Sequence, residues 1–186
     1  MFRLFSRVLV CALLASAANA AVIKFYGILG PEVTGATGAG YATVDFDTTA
    51  QTLAIDVDWW GLSGVTSVAH IHCCTAVPKT GTVGVAVTPG TLPGFPVGVS
   101  AGSYLIILDL TLDATYTGGF RGALTAVQAG QKLLAGANAG TAYLNIHTNR
   151  FPGGEIRAFL QPVPEPATFA LAGLALAGVA IARRRR

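Results

Sequence analysis

The chain has 186 residues, of which 52% are hydrophobic and only 11% charged, and a formal net charge of +3. Half of its twelve basic residues, Arg3, Arg7 and Arg183 to Arg186, sit at the two extremities; from Ala21 to Gln161 six Lys and Arg face eight Asp and Glu, a net −2. That middle carries no clustered basic stripe, which excludes a nucleic-acid partner, and its length suits one domain with a sizeable core.

At the N-terminus Arg3 and Arg7 precede the apolar run Val8 to Ala15, and Ala18-Asn19-Ala20 supplies the small residues a signal peptidase requires. Residues 1–20 read as a secretory signal cleaved after Ala20. Cys11 leaves with it. Cys73 and Cys74 remain as neighbours in an oxidising compartment, where a free pair does not persist. They can close a small ring on themselves, pair with other chains or, less readily, offer sulfur to a metal.

Between the ends the periodicity is two. Val22 to Ile28 is a first strand. In the next, Ala42, Val44 and Phe46 alternate with Thr43, Asp45 and Asp47, and in Gln51 to Trp60 the row Leu53, Ile55, Val57 and Trp59 alternates with Thr52, Ala54, Asp56 and Asp58. The short Asp47-Thr48-Thr49-Ala50 link predicts a hairpin between them. Trp59 and Trp60 must then face opposite ways, one into the core and one onto the surface or rim. Thr66 to His72, Thr82 to Val87, Ser103 to Leu110, Thr141 to His147 and Glu155 to Leu160 complete about eight strands, separated by turn signals. An all-β sandwich or barrel follows. The Pro- and Gly-rich stretch Thr88 to Gly102 is expected to be a long ordered loop, Gly122 to Leu134 a short helix across one end, and Phe151-Pro152-Gly153-Gly154 a turn.

The C-terminal segment has three parts. Pro162, Pro164 and Pro166 stop any strand or helix, so the domain ends near Gln161. Ala167 to Ala182 is apolar or small at every position except Thr168, a helix of about 24 Å at ~1.5 Å per residue. Arg183 to Arg186 hold its far end in the cytoplasm. The motif Val163-Pro164-Glu165-Pro166 with this span and this cluster resembles the PEP-CTERM sorting signal. The resemblance implies recognition by an exosortase, transient anchoring in the inner membrane of a Gram-negative bacterium that makes extracellular polysaccharide, and removal of the tail during export.

All three histidines fall in two strands. His70 and His72 flank Ile71, so both imidazoles share one face, and His147 ends Tyr143-Leu144-Asn145-Ile146-His147, opposite Leu144 and Ile146. If the two strands are neighbours, three imidazoles converge, a donor set that suits zinc or copper, with Cys73 or Cys74 as a further sulfur donor. The plainer account is a hydrogen-bonded cluster of histidine, asparagine and an ion pair of Glu155 with Arg157 or Arg150, fixing strand register.

The blocks Ser67-Val68-Ala69-His70-Ile71-His72 and Gly140-Thr141-Ala142-Tyr143-Leu144-Asn145-Ile146-His147-Thr148, the latter running into Phe151-Pro152-Gly153-Gly154-Glu155-Ile156-Arg157, resemble the two signature blocks of the CHRD domain, first described in chordin. That resemblance implies a Greek-key, immunoglobulin-like sandwich distantly similar to copper/zinc superoxide dismutase, with no established activity. A second histidine set, an aspartate among the ligands and a catalytic arginine are missing, so dismutase chemistry is not expected. The sequence also lacks a Ser/His/Asp order, a P-loop and a dinucleotide fingerprint. The leading expectation is therefore a non-enzymatic exported module with no cofactor, acting structurally or adhesively at the cell surface or in the extracellular matrix through polysaccharide or protein contacts. The alternative is a copper- or zinc-binding protein using His70, His72 and His147.

Overall fold

The computed structural model describes residues 22–164 and Leu174. The expected leader, the span over 167–182 apart from Leu174, the arginine cluster and the Glu165 and Pro166 of the sorting motif lie outside the described residues. Among the described residues no helix is long and apolar enough to cross a membrane.

Alternating sequence becomes alternating burial. β1 (Val22–Pro31), β2 (Ala39–Asp47) and β3 (Thr52–Trp60) form an antiparallel meander in which Phe25, Val44, Phe46, Leu53, Ile55 and Trp59 point into the core and Lys24, Thr43, Asp56 and Asp58 do not. The β2–β3 hairpin forms as expected; the Asp47 carboxylate accepts from the backbone N–H groups of Thr49 and Ala50, tying the turn. Trp59 is buried and Trp60 half exposed.

The chain then crosses to β4 (Thr66–His72) and β5 (Val85–Val87), returns as β6 (Gly102–Asp109) beside β3, and crosses again to β7 (Tyr143–Thr148) beside β4, followed by β8 (Ile156–Phe159) and the short β9 (Gln161–Pro162). A strand that comes back to lie beside the one three places earlier is the Greek-key connection. The result is one curled antiparallel sheet in the order β5-β4-β7-β8-β1-β2-β3-β6, with β9 on β1. β1 joins the halves: Val22 to Leu29 pair with β2, while Gly30 and Pro31 pair with β8. Phe25, Val44 and Ile55 of one half and Ile71, Leu144 and Ile156 of the other belong to one continuous core.

Each end of this core is closed by a segment that does not alternate. The loop between β5 and β6 inserts Leu92 and Phe95, with Phe95 stacked on Trp59 at 5.0 Å between centroids, and Tyr104 donates its hydroxyl hydrogen to Pro93 O. This Pro- and Gly-rich stretch is thus an ordered plug. At the β2–β3 turn end lie a 3₁₀ turn (Asp113–Thr115), α1 (Gly118–Arg121) and α2 (Ala126–Asn138), which bury Tyr116, Phe120, Ala129, Leu133 and Ala137.

The longer helix, α2, starts at Ala126, four residues after the expected Gly122. Thr125 is its N-cap, its hydroxyl accepting from Gln128 N while the Gln128 side chain accepts from Thr125 N, a capping box that fixes the start. Gly122, with φ of 57°, ends α1 instead. β5 is shorter than the expected strand because Val83, inside that range, directs its carbonyl at a His72 side chain and away from the ladder.

Candidate metal centre

The three histidines meet. Ala69 and Ile71 of β4 and Leu144 and Ile146 of β7 are fully buried on the core side, so strand alternation sends His70, His72, Tyr143, Asn145 and His147 to the outer face. There the β4–β7 register sets His70 opposite Asn145 and His72 opposite Tyr143. One ring nitrogen from each of His70, His72 and His147 lies within 4.8 Å of the other two. Loops roof this outer face, leaving the three side chains 7%, 8% and 9% exposed.

Each loop contributes one backbone carbonyl. His70 Nε2 stands 2.8 Å from Gly90 O, His72 Nδ1 2.7 Å from Val83 O, and His147 Nδ1 2.7 Å from Pro152 O. A carbonyl oxygen only accepts, so each of these nitrogens carries the proton of a neutral ring, and the other nitrogen is left with its lone pair. The lone pairs that remain, on His70 Nδ1, His72 Nε2 and His147 Nε2, are those that face one another. His70 Nδ1 and His147 Nε2 are 3.4 Å apart. Two nitrogens on a tetrahedral ion with bonds of about 2.0–2.1 Å are separated by about 3.3–3.4 Å. His72 Nε2 is buried without a hydrogen-bond partner. The rings are also fixed by stacking, His72 lying parallel to Tyr143 with centroids 4.6 Å apart.

Burial lowers the pKa of His70 and of His72, and neighbouring imidazoles lower it further; the hydrogen bonds to Gly90 and Val83 and, at His72, the Asn145 side chain and the Glu32 charge oppose this without reversing it. The net direction favours the neutral, ligand-competent form.

Behind the histidines stands a second layer. Asn145, 1% exposed, donates its amide N–H to Glu32 Oε2 at 3.0 Å, and Glu32 in turn pairs with Arg157 at 3.3 Å. The ion pair expected for Glu155 is therefore made by Glu32, a residue that nothing in its own sequence neighbourhood singled out. Arg157 also lies over the rings of Tyr143 and Phe159, and Arg150 sits over Phe151. Glu155 is fully buried and uses neutral donors: Ser63 N and Oγ, Gly64 N and Thr148 Oγ1, at 2.6, 2.6, 3.2 and 2.7 Å. It clamps the β3–β4 connection to β7.

The turn after β7 serves both layers. Pro152 gives the carbonyl for His147, and Gly154, at φ of 125°, leaves no room for a side chain, since a Cβ there would run into Glu32 and stand 2.5 Å from Asn145 Nδ2. Cys73 and Cys74 are joined to each other by a disulfide, with a cis peptide between them. The two cysteines line a cleft with Val83, Thr117, Phe120 and Lys132. They are not thiolate donors to the histidine cluster.

His70, His72, Asn145, His147, Pro152, Gly154 and Arg157 of the two sequence blocks thus belong to one construction. A family model for the CHRD domain matches residues 19–160. The chain belongs to the CHRD domain family. A model for the PEP-CTERM protein-sorting motif matches residues 162–186 of this CHRD protein, which marks it for export through an exosortase-type system. No curated protein and no solved structure matches the chain.

Proposed function

We propose that this CHRD protein is a non-enzymatic exported module that binds copper or zinc outside the cytoplasm through His70, His72 and His147. One observation carries the reading: three buried imidazoles, each with its N–H committed to a carbonyl, turn three lone pairs toward a common point, an arrangement that repels itself until a cation sits there. Metal-ligating histidines are commonly held through the second nitrogen in this manner. The chemistry such an ion supplies is Lewis acidity or electron transfer. The surrounding side chains orient it and keep water away, and among the described residues no nucleophile or acid/base pair stands beside it to complete a reaction site. The test is metal analysis of the full chain, expressed with its leader and purified after export, beside His72→Ala. Stoichiometric copper or zinc in the first and its loss in the second is expected; a wild type that takes up neither at micromolar metal refutes the reading.

A second role, structural or adhesive contact with polysaccharide or protein in the matrix of a Gram-negative bacterium, draws support from the opposite half of the sheet. There Tyr41 and Trp60 form an exposed aromatic pair with centroids 5.4 Å apart, a surface suited to stacking on a sugar. Matrix retention of a gene knock-out compared with wild type tests it, and equal retention would remove it.

A further inference from the structure

The structure assigns Asn145 Oδ1 as the fourth ligand of the ion at His70, His72 and His147, making the site a closed N₃O cage for a divalent cation. This rests on the three-histidine reading and goes beyond it, because it decides whether a coordination position is open.

Asn145 sits directly across the ladder from His70 and two residues before His147 on the same face of β7. Its amide nitrogen is committed to Glu32 Oε2 at 3.0 Å, and Glu32 is held by Arg157, so the amide cannot turn over without giving up that hydrogen bond. The orientation leaves Oδ1 buried with no hydrogen-bond partner. The other two orphaned side-chain atoms among the described residues are Trp59 Nε1, on the core side, and His72 Nε2, in the cluster itself. Two buried acceptors on one crowded face, an imidazole lone pair and an amide oxygen, are each costly when left unsatisfied. One cation satisfies both.

An amide oxygen is a hard donor. With three imidazoles it suits Zn²⁺ or Cu²⁺ and disfavours Cu⁺, which prefers sulfur. Four protein ligands also leave no vacancy for a water or substrate, the arrangement of structural zinc sites and not of catalytic ones. A Glu32 carboxylate hydrogen-bonded to the ligating amide raises the basicity of its oxygen, as outer partners do for other ligands.

Cobalt(II) is the probe, since its visible absorption reports coordination number. The exported full chain, loaded with Co²⁺, is titrated with azide, and Zn²⁺ affinity is measured by competition with a chromophoric chelator. Wild type is expected to show an intense four-coordinate band that azide leaves unchanged. Asn145→Ala is expected to bind Zn²⁺ about ten- to hundredfold more weakly and to take azide with a shifted band, while Asn145→Asp, which keeps an oxygen donor, stays indifferent to azide. A wild-type band that moves with azide overturns the assignment even if no variant folds, as does an Asn145→Ala protein with wild-type affinity and no azide response. A wild type that loads neither metal is a different result: it removes the three-histidine reading and this assignment with it.

Discussion

Gly136 of α2 and Cys73, the residue after β4, share one volume: a methyl group on Gly136 would overlap the Cys73 sulfur and stand 2.7 Å from that of Cys74. The disulfide is therefore a docking surface, seated in a notch of the helix that only glycine leaves open. Gly136→Ala should destabilise the protein by about 1–3 kcal/mol, the usual cost of overpacking. In a Cys73→Ala, Cys74→Ala background the same substitution should cost much less. Denaturant unfolding of the four proteins measures the coupling, and additive effects would show that helix and disulfide do not meet.

Acid stability should report Glu155. Burial would raise its pKa, but donors from Ser63, Thr148 and Gly64 outweigh that and hold it below its ordinary value of 4.5. A folded-state pKa below the unfolded one gives stability that is fully present above the unfolded pKa and is lost as pH falls through the folded one. Glu155→Gln should cost about 1.5–3 kcal/mol near neutral pH and lack this part of the loss below pH 4.5, so the two stability curves should converge in acid. Parallel curves would place the acid sensitivity elsewhere.

Metal removal should be felt by the whole fold. An ion that binds only the native state stabilises it by about 2.7 kcal/mol at a hundredfold excess over Kd. Dialysis against a chelator should lower the unfolding midpoint of wild type and leave that of His72→Ala unchanged. Equal shifts in both proteins would mean that the chelated ion sits elsewhere.

Tyr41 and Trp60 contribute little to the core, being 59% and 44% exposed. Replacing both by alanine should change stability by no more than about 0.5 kcal/mol for each, yet reduce retention in the matrix if that face makes the contact. Unchanged retention with unchanged stability would dismiss the aromatic pair as an adhesive surface.

The strands were legible because burial on one side of a sheet writes a period of two into the chain, as in Leu53 to Trp60. The convergence of His70, His72 and His147 was legible for the same reason, once β4 and β7 were neighbours. The helix start differs from the expected one although Thr125-Ala126-Val127-Gln128 spells a capping box, because Leu124 extends the helical apolar spacing upstream of the cap. Glu32 and Asn145 are a different case. Glu32 lies 113 residues from Asn145 and 125 from Arg157, and a polar contact that long-range carries no local periodicity. The carbonyls of Val83, Gly90 and Pro152 were also unreadable, since every residue has one and only the folded loops aim these three.

The pairing of β9 with β1 sets Pro162 beside Phe25 and Gln161 beside Tyr26, and Val163 N donates to Lys24 O at 2.9 Å. Because β9 runs antiparallel to β1, the chain enters and leaves the folded body side by side at one end. Force that draws the two extremities apart would unzip that ladder rung by rung, the weakest way to load a sheet, whereas force on one extremity alone is shared by the neighbouring strands. A body wired in this way is mechanically suited to hang from a single tether, and ill suited to serve as a link in a chain under tension.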